Sequence, residues 1–113
     1  AAFAVHLDGE GGHAGAVLMP LRKDALCAAA EIVLAVEAAA KGTGSPDAVA
    51  TTGTCRVHPG AINSVPSQVT LLVDVRDVRL EPRDAAVTAI RAAVEEISAR
   101  RGVAARVETI SVD

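Results

Sequence analysis

Hydrophobic and polar residues alternate at the start of the chain. Phe3, Val5 and Leu7 are separated by small or polar residues, and this period of two predicts a half-buried β-strand. Four glycines between residues 9 and 15 end the strand and open a loop that runs to Pro20.

Apolar residues spaced three and four apart predict a first helix from about residue 22 to residue 41. Its expected buried face consists of Leu26, Ala29, Val33, Val36 and Ala40. We expect Gly42 to end this helix, because glycine is favoured just beyond a helix C-terminus. The segment Gly44-Ser45-Pro46-Asp47 then predicts a turn.

The second half of the chain predicts two strands, a helix and a final strand. The inward side of the first strand is expected to hold Val49, Thr51, Cys55 and Val57. Residues 69–76 alternate, and their expected core-facing residues are Val69, Leu71, Val73 and Val75. Pro82 is suited to the first turn of a second helix. Its expected buried face is Val87, Ile90, Val94 and Ile97, with Gly102 as its end and residues 103–112 as an edge strand.

The predicted order is β-α-β-β-α-β, which is the ferredoxin-like pattern. The expected fold class is α+β, with a four-stranded antiparallel sheet and two helices on one face. Residues 1–113 form a single domain in this interpretation. The second sheet face has no helix to cover it, and Leu72 and Arg76 are expected there or at its rim. Such a face often meets a partner or a ligand.

Composition excludes several classes of protein. Half of the residues are hydrophobic and only Phe3 is aromatic, so the chain is too apolar for intrinsic disorder. No run of 18 apolar residues predicts a membrane span. The net charge of −3 argues against a nucleic-acid partner. Cys27 and Cys55 are interpreted as reduced, buried side chains, and we expect a cytoplasmic protein.

The glycine cluster suggests a dinucleotide site, but its context does not. Gly9-Glu10-Gly11-Gly12-His13-Ala14 fits the G-x-G-x-x-[GA] pattern after a strand. However, no helix begins at the third small residue, and the chain is too short for a doubly wound sheet. The glycines are better explained as a tight turn that brings His13 close to another group.

The remaining polar residues have both structural and functional interpretations. His6 is expected on a strand surface and His58 in a turn, and no set of three ligands predicts a metal site. Asn63 is typical of a turn that it stabilises through its own backbone. Arg76 is typical of a solvated charge paired with Asp74 or Asp77. A Cys55–His58 dyad is not expected, because residues three apart on a strand point to opposite faces.

Three segments together resemble a known family. They are Gly12-His13-Ala14-Gly15 followed by Met19-Pro20 and Arg22-Lys23-Asp24-Ala25, then residues 58–67 (HPGAINSVPS), then Asp74-Val75-Arg76-Asp77. This set resembles the lid, or dimerisation, domain of M20-type metallo-amidohydrolases. The resemblance covers nearly the whole chain and is greatest to the branch of ureidoglycolate and allantoate amidohydrolases and N-carbamoyl-L-amino-acid hydrolases.

The resemblance implies roles that composition cannot supply. Family lids are ferredoxin-like, and family members are homodimers with two divalent metals, Mn or Zn, in a separate catalytic domain. The histidine at the position of His13 stabilises the oxyanion, in many members within the partner's active site. Residues at the positions of Asn63 and Arg76 bind the carboxylate of a small ureido substrate. The metal ligands have no counterpart here, so the chain is expected to bind no metal, to be inactive alone and to be excised from a larger two-domain enzyme.

Two other interpretations remain open at this stage. The chain could be a stand-alone dimerisation module that kept the fold without a catalytic half. It could also be a ferredoxin-like domain that binds a small regulatory ligand. Flanking sequence rich in His, Asp and Glu distinguishes the three, since only the amidohydrolase requires it.

Overall fold

The computed structural model describes residues 1–113 as an α+β sandwich. Two short strands and a 3-10 turn accompany the six main elements. In chain order the elements are β1 (Ala2–Asp8), β2 (Gly12–His13), the 3-10 turn (Met19–Leu21), α1 (Ala25–Gly42), β3 (Val49–His58), β4 (Ser64–Val65), β5 (Gln68–Arg76), α2 (Leu80–Arg101) and β6 (Ala104–Ser111).

The main sheet has the order β3-β5-β1-β6, and every neighbouring pair is antiparallel. The two helices pack on one face of this sheet, which confirms the predicted ferredoxin-like class. The buried core lies between the sheet and the helices. Its largest fully buried side chains include Phe3, Leu7, Ile32, Leu71 and Ile90.

The start of α1 and the end of α2 have recognisable causes. The Asp24 carboxylate accepts hydrogen bonds from the backbone N–H groups of Leu26 and Cys27, at 2.8 and 3.2 Å, and so caps α1. Helix α2 ends as predicted at Gly102, whose φ of 67° is left-handed. Gly42 is instead the last residue of α1, so its predicted place beyond the helix end is wrong.

The buried face of α1 is rotated from the prediction. Ala25, Ala28 and Ile32 are buried together with three predicted residues, Ala29, Val36 and Ala40. Leu26 was expected inside, but it is 37% exposed. Apolar residues such as Leu26 and Leu34 also lie outside this face, so the apolar spacing alone did not select the buried one.

A β-bulge in β3 corrects the predicted inward face of that strand. The register shifts between Thr52 and Thr54, so Ala50 and Thr52 pair with core-facing residues of β5. Val49 and Thr51 are therefore exposed rather than inward. Cys55 lies opposite the buried Leu71, yet it is exposed because β3 is at the sheet edge. Cys27 is also exposed, so the prediction of two buried cysteines is wrong.

The domain is elongated, with its chain ends together at one end. Its principal extents are 49 × 21 × 19 Å. The Ala1 amino group donates to the Asp113 carbonyl at 2.7 Å and to the Val75 carbonyl at 2.7 Å. Strand β1 then runs away from this end toward the β2–β4 ribbon. Neither helix is long and apolar enough to cross a membrane.

Candidate functional site

His13 and Asn63 lie on two hydrogen-bonded chain segments at the end of the domain remote from the chain termini. Strands β2 and β4 form a two-stranded antiparallel ribbon in which His13 is paired with Ser64. The Ala14 N–H donates to the Asn63 carbonyl at 2.7 Å, which continues the pairing by one residue. Both side chains are exposed. The structure thus brings together two residues that are 50 positions apart in the sequence.

The ribbon is fixed to the body of the domain by main-chain contacts. The Gly9 N–H donates to the Ser67 carbonyl at 2.7 Å, and the Glu10 N–H donates to the Lys23 carbonyl at 2.9 Å. A Cβ atom at Gly9 would overlap that Lys23 oxygen, so the close approach requires glycine. Val65 is 2% exposed and anchors the second strand of the ribbon. Glycine at residue 9 is therefore explained by the close approach of two backbone segments, and no phosphate site is needed to account for it.

The His13 imidazole is oriented by the loop that follows it. The Gly15 N–H donates to Nδ1 of His13 at 3.0 Å. A ring nitrogen that accepts a hydrogen bond carries no proton, so the neutral ring holds its proton on Nε2. Nε2 makes no hydrogen bond within the chain, and it is a free donor at an exposed position.

The Asn63 carboxamide is also free. Its side chain makes no hydrogen bond within the chain, so the predicted bond to its own backbone is absent. The turn is closed by main chain instead, through the Ser64 N–H and the Ala61 carbonyl at 3.2 Å. The neighbouring Ile62 side chain is fully exposed. The carboxamide can therefore offer both a donor and an acceptor to a bound molecule.

Arg76 lies at the opposite end of the sheet. It is the last residue of β5, while the ribbon adjoins the first residues of that strand. Eight residue steps at about 3.3 Å separate the two ends of β5 by about 26 Å. Arg76 Nε donates to Asp74 at 2.7 Å, as its structural interpretation predicted. The side chain is 75% exposed, and both Nη atoms are unbonded within the chain.

Charged neighbours keep this end of the sheet polar. The Ser45 hydroxyl donates to Asp77 at 2.6 Å, and this hydrogen bond lowers the pKa of the Asp77 carboxyl. A carboxylate therefore stays ionised next to Arg76 in sequence.

On the open sheet face, His6 bonds Glu108 at 2.9 Å and lowers the pKa of that carboxyl. No three His, Cys, Asp or Glu side chains meet where they could hold a metal ion.

Arg22 contacts the loop after His13, although the sequence predicted no role for it. Its Nη2 donates to the Ala14 carbonyl at 2.8 Å and its Nε to the Val17 carbonyl at 3.0 Å. No sequence pattern identifies such contacts. Every residue has a main-chain oxygen, so the residue type at the accepting position gives no indication of the bond.

Comparison with known proteins identifies the family. The M20_dimer family, described as "Peptidase dimerisation domain", matches residues 1–102. The chain belongs to the M20 peptidase dimerisation family. The resemblance found in the three sequence segments is thereby confirmed.

Curated relatives of this M20 dimerisation domain include hydrolases and amidohydrolases. Ureidoglycolate hydrolase of Oryza sativa subsp. japonica is 48% identical over 103 residues, which are 91% of this chain and 21% of that protein. N-carbamoyl-L-amino-acid amidohydrolase of Pseudomonas sp. (strain NS671) is 38% identical over 106 residues, which are 94% of this chain and 26% of that protein. The M20 dimerisation domain thus spans about a fifth to a quarter of these relatives.

Solved structures share its fold closely. AtUAH in complex with (S)-hydroxyglycine matches with a TM-score of 0.95 and 41% identity, over 97% of the M20 dimerisation domain and 26% of that chain. A hydantoinase/carbamoylase family amidase from Burkholderia ambifaria matches with a TM-score of 0.92 and 33% identity, over 97% and 27%.

Proposed function

We propose that residues 1–113 form the substrate-binding and dimerisation lid of a larger metal-dependent amidohydrolase. The parent enzyme cleaves a ureido or amide C–N bond and releases ammonia. Family membership and the hydrolase relatives support this proposal. The chain's own residues do not fit a metal site, so Mn or Zn would be held by the remainder of the parent. This domain alone is expected to be inactive.

The observation that carries the proposal is the free Nε2–H of His13 at the same end of the domain as the free carboxamide of Asn63. Both groups lie on a ribbon that is fixed by main-chain hydrogen bonds, so they are held in place before a substrate arrives. A hydrogen-bond donor directed at a carbonyl oxygen stabilises the negative charge that develops there during attack. Removing one such donor typically lowers kcat by about 10²–10³-fold.

Arg76 is suited to hold a substrate carboxylate. Only its Nε is engaged, by Asp74, so its two Nη groups can donate to both oxygens of a carboxylate. Ureidoglycolate, allantoate and N-carbamoyl amino acids all carry a carboxylate beside the bond to be cleaved. We favour ureidoglycolate-like substrates, since the ureidoglycolate hydrolases of Oryza sativa subsp. japonica and Arabidopsis thaliana are 48% and 46% identical, against 38% for the Pseudomonas carbamoylase.

The separation of the two ends favours a shared site in a homodimer. A small substrate cannot contact Arg76 and His13 of one copy across about 26 Å. Two copies related by a two-fold axis and packed antiparallel place the ribbon of one beside the Arg76 end of the other. The sheet has two unpaired edges, β3 and β6, and either one can pair with its equivalent in this arrangement.

Subunit mixing in the intact enzyme tests this function directly. His13→Ala should lower kcat much more than it raises KM, and Arg76→Ala should raise KM for carboxylate substrates. When the two impaired variants are mixed and re-associated, and assayed at a substrate concentration well below the KM of Arg76→Ala, each mixed dimer has one site with both wild-type residues. About a quarter of wild-type activity should return if half of the dimers are mixed.

If mixing restores no activity, although mass measurement shows that mixed dimers have formed, the two residues do not act in a site shared across the dimer. If both single variants keep wild-type kinetics, neither residue binds the substrate or the oxyanion. Ammonia release by residues 1–113 alone with Mn²⁺ or Zn²⁺ would contradict the predicted need for the rest of the parent.

A further inference from the structure

The guanidinium group of Arg22 spans a four-residue segment of the loop after His13. It donates to the carbonyl of Ala14 at one end and to the carbonyl of Val17 at the other, at 2.8 and 3.0 Å. The Arg22 backbone N–H also donates to Met19 at 3.1 Å and closes the 3-10 turn. The side chain is half-buried, and it thereby fixes both ends of the segment at once.

That segment contains the group that orients His13. The Gly15 N–H, between the two bonded carbonyls, donates to His13 Nδ1 at 3.0 Å. The N–H groups of Ala16 and Val17 both donate to the His13 carbonyl, at 2.9 and 3.2 Å. A Cβ atom at Gly15 would lie 3.3 Å from the ring atoms Nδ1 and Cε1, so the ring rests against this residue. The loop position therefore sets the ring position.

Arg22 is free to do this because no carboxylate engages it. It takes part in none of the ion pairs of the domain, and the two recorded bonds of its guanidinium go to main-chain oxygens. Arginine suits the task better than lysine, since its planar fork presents two N–H groups at fixed separation. A lysine ammonium could bond one of the two carbonyls without fixing the other.

We propose that Arg22 is a positioning residue for His13. By holding Ala14 and Val17, it fixes the Gly15 N–H that selects the Nε2–H tautomer of the ring and its direction. The effect of this positioning on catalysis rests on the function proposed above. The structural part does not, and it can be measured without any substrate.

Nitrogen NMR of the ¹⁵N-labelled chain tests the structural part. In the wild type, Nδ1 of His13 should show the shift of an unprotonated ring nitrogen and a scalar coupling to the Gly15 amide nitrogen. In Arg22→Met the coupling should be lost, and the two ring nitrogens should move toward a common averaged shift. Arg22→Lys should show a smaller change in the same direction. Arg56→Met, an exposed arginine on the sheet, is the matched control and should change neither signal.

Two results would overturn the proposal. One is a wild-type chain without the coupling between Gly15 and His13. The other is an unchanged coupling and unchanged ring shifts in Arg22→Met, or in Arg22→Lys if the methionine variant does not fold.

Kinetics of the intact enzyme test the catalytic part separately. Arg22→Met should lower kcat by about tenfold to a hundredfold, with KM within about twofold, because the donor is present but misdirected. In a His13→Ala background the same change should lower kcat no further, since there is no ring left to position. Multiplying losses would refute positioning through His13. If His13→Ala alone leaves kcat unchanged, the proposed function fails, whereas the NMR result on Arg22 stands.

Discussion

Replacing Gly9 with alanine tests whether the ribbon that carries His13 is fixed to the body of the domain. The added Cβ would overlap the Lys23 carbonyl oxygen and lie 3.1 Å from the Ala25 nitrogen. Both neighbours are backbone atoms, so they cannot rotate away as a flexible side chain would. The Lys23 oxygen also accepts the Glu10 N–H at 2.9 Å, and moving it strains or breaks that bond.

The expected cost follows from these two contributions. Overpacking in a closely packed region costs about 1–3 kcal/mol, and a lost backbone hydrogen bond costs about 1 kcal/mol. We therefore expect Gly9→Ala to lower the free energy of unfolding by about 2–4 kcal/mol, or Tm by about 8–16 °C in a domain of this size. Urea denaturation followed by circular dichroism measures the free energy, and calorimetry measures Tm.

Gly42→Ala is the matched control for the same change in side chain. No atom lies within 4 Å of a Cβ at Gly42, which is the last residue of α1. Alanine there should be neutral or stabilising by up to about 1 kcal/mol. A Gly9→Ala variant that loses less than about 0.5 kcal/mol would refute the close crossing. The ribbon could then not be regarded as rigidly attached.

Three further predictions concern packing and charge elsewhere in the domain. Ile90→Ala should lower the free energy of unfolding by about 2–5 kcal/mol, measured by denaturation, because Ile90 is fully buried. Leu34→Ala, at a side chain that is 67% exposed, should lower it by less than about 0.5 kcal/mol, and equal losses would contradict the core described here. Thr52→Val should stabilise the domain by about 1 kcal/mol, since the buried Thr52 hydroxyl has no hydrogen-bond partner, and a destabilised variant would show that this partner exists. Hydrogen bonds from Arg100 and Arg101 lower the pKa of the Glu31 carboxyl from 4.5 to about 2, so the stabilisation that Glu31 provides is complete above pH 4.5 and is lost as the pH falls through 2. When stability is measured during acid titration, Glu31→Gln should lose less stability than the wild type across this range. Parallel curves for the variant and the wild type would refute the effect.

Periodicity predicted the elements well where one face is fully buried. Strand β5 alternates without interruption, and the expected residues from Val69 to Val75 are all in the core. The predicted buried face of α2 was also largely correct, with Ile90, Val94 and Ile97 buried. These elements are covered along their whole length by a partner layer, so burial alone determines which residues are apolar.

The predicted faces of β3 were wrong because a bulge adds one residue and so changes the alternation of inward and outward side chains. The bulge near Gly53 inserts one residue into β3, and every residue before it changes face relative to simple alternation. An isolated glycine such as Gly53 inside a strand often marks a bulge, but our prediction treated residues 49–57 as a regular strand. The exposure of Cys55 follows from its place on an edge strand, which depends on the sheet order.

The sequence predicted which residues to consider, and their roles stay predictions, but it did not predict how they are arranged. His13 and Asn63 were selected through family resemblance, and the sequence spacing of 50 residues did not show that they are neighbours. Arg76 is only 13 positions after Asn63, yet it lies at the other end of the domain because β5 is fully extended between them. Arg22 was missed because its bonds are to main-chain atoms.

The elongated shape has a mechanical consequence. Both chain termini lie at the Arg76 end, and His13 lies at the far end. In the larger enzyme proposed above, a rotation of this domain about its termini would therefore move His13 the most. Over the 49 Å length, a rotation of about 5° displaces the far end by about 4 Å. That distance exceeds the length of a hydrogen bond. In the proposed function, a rotation about the termini that barely moves Arg76 is therefore enough to engage or withdraw the His13 donor.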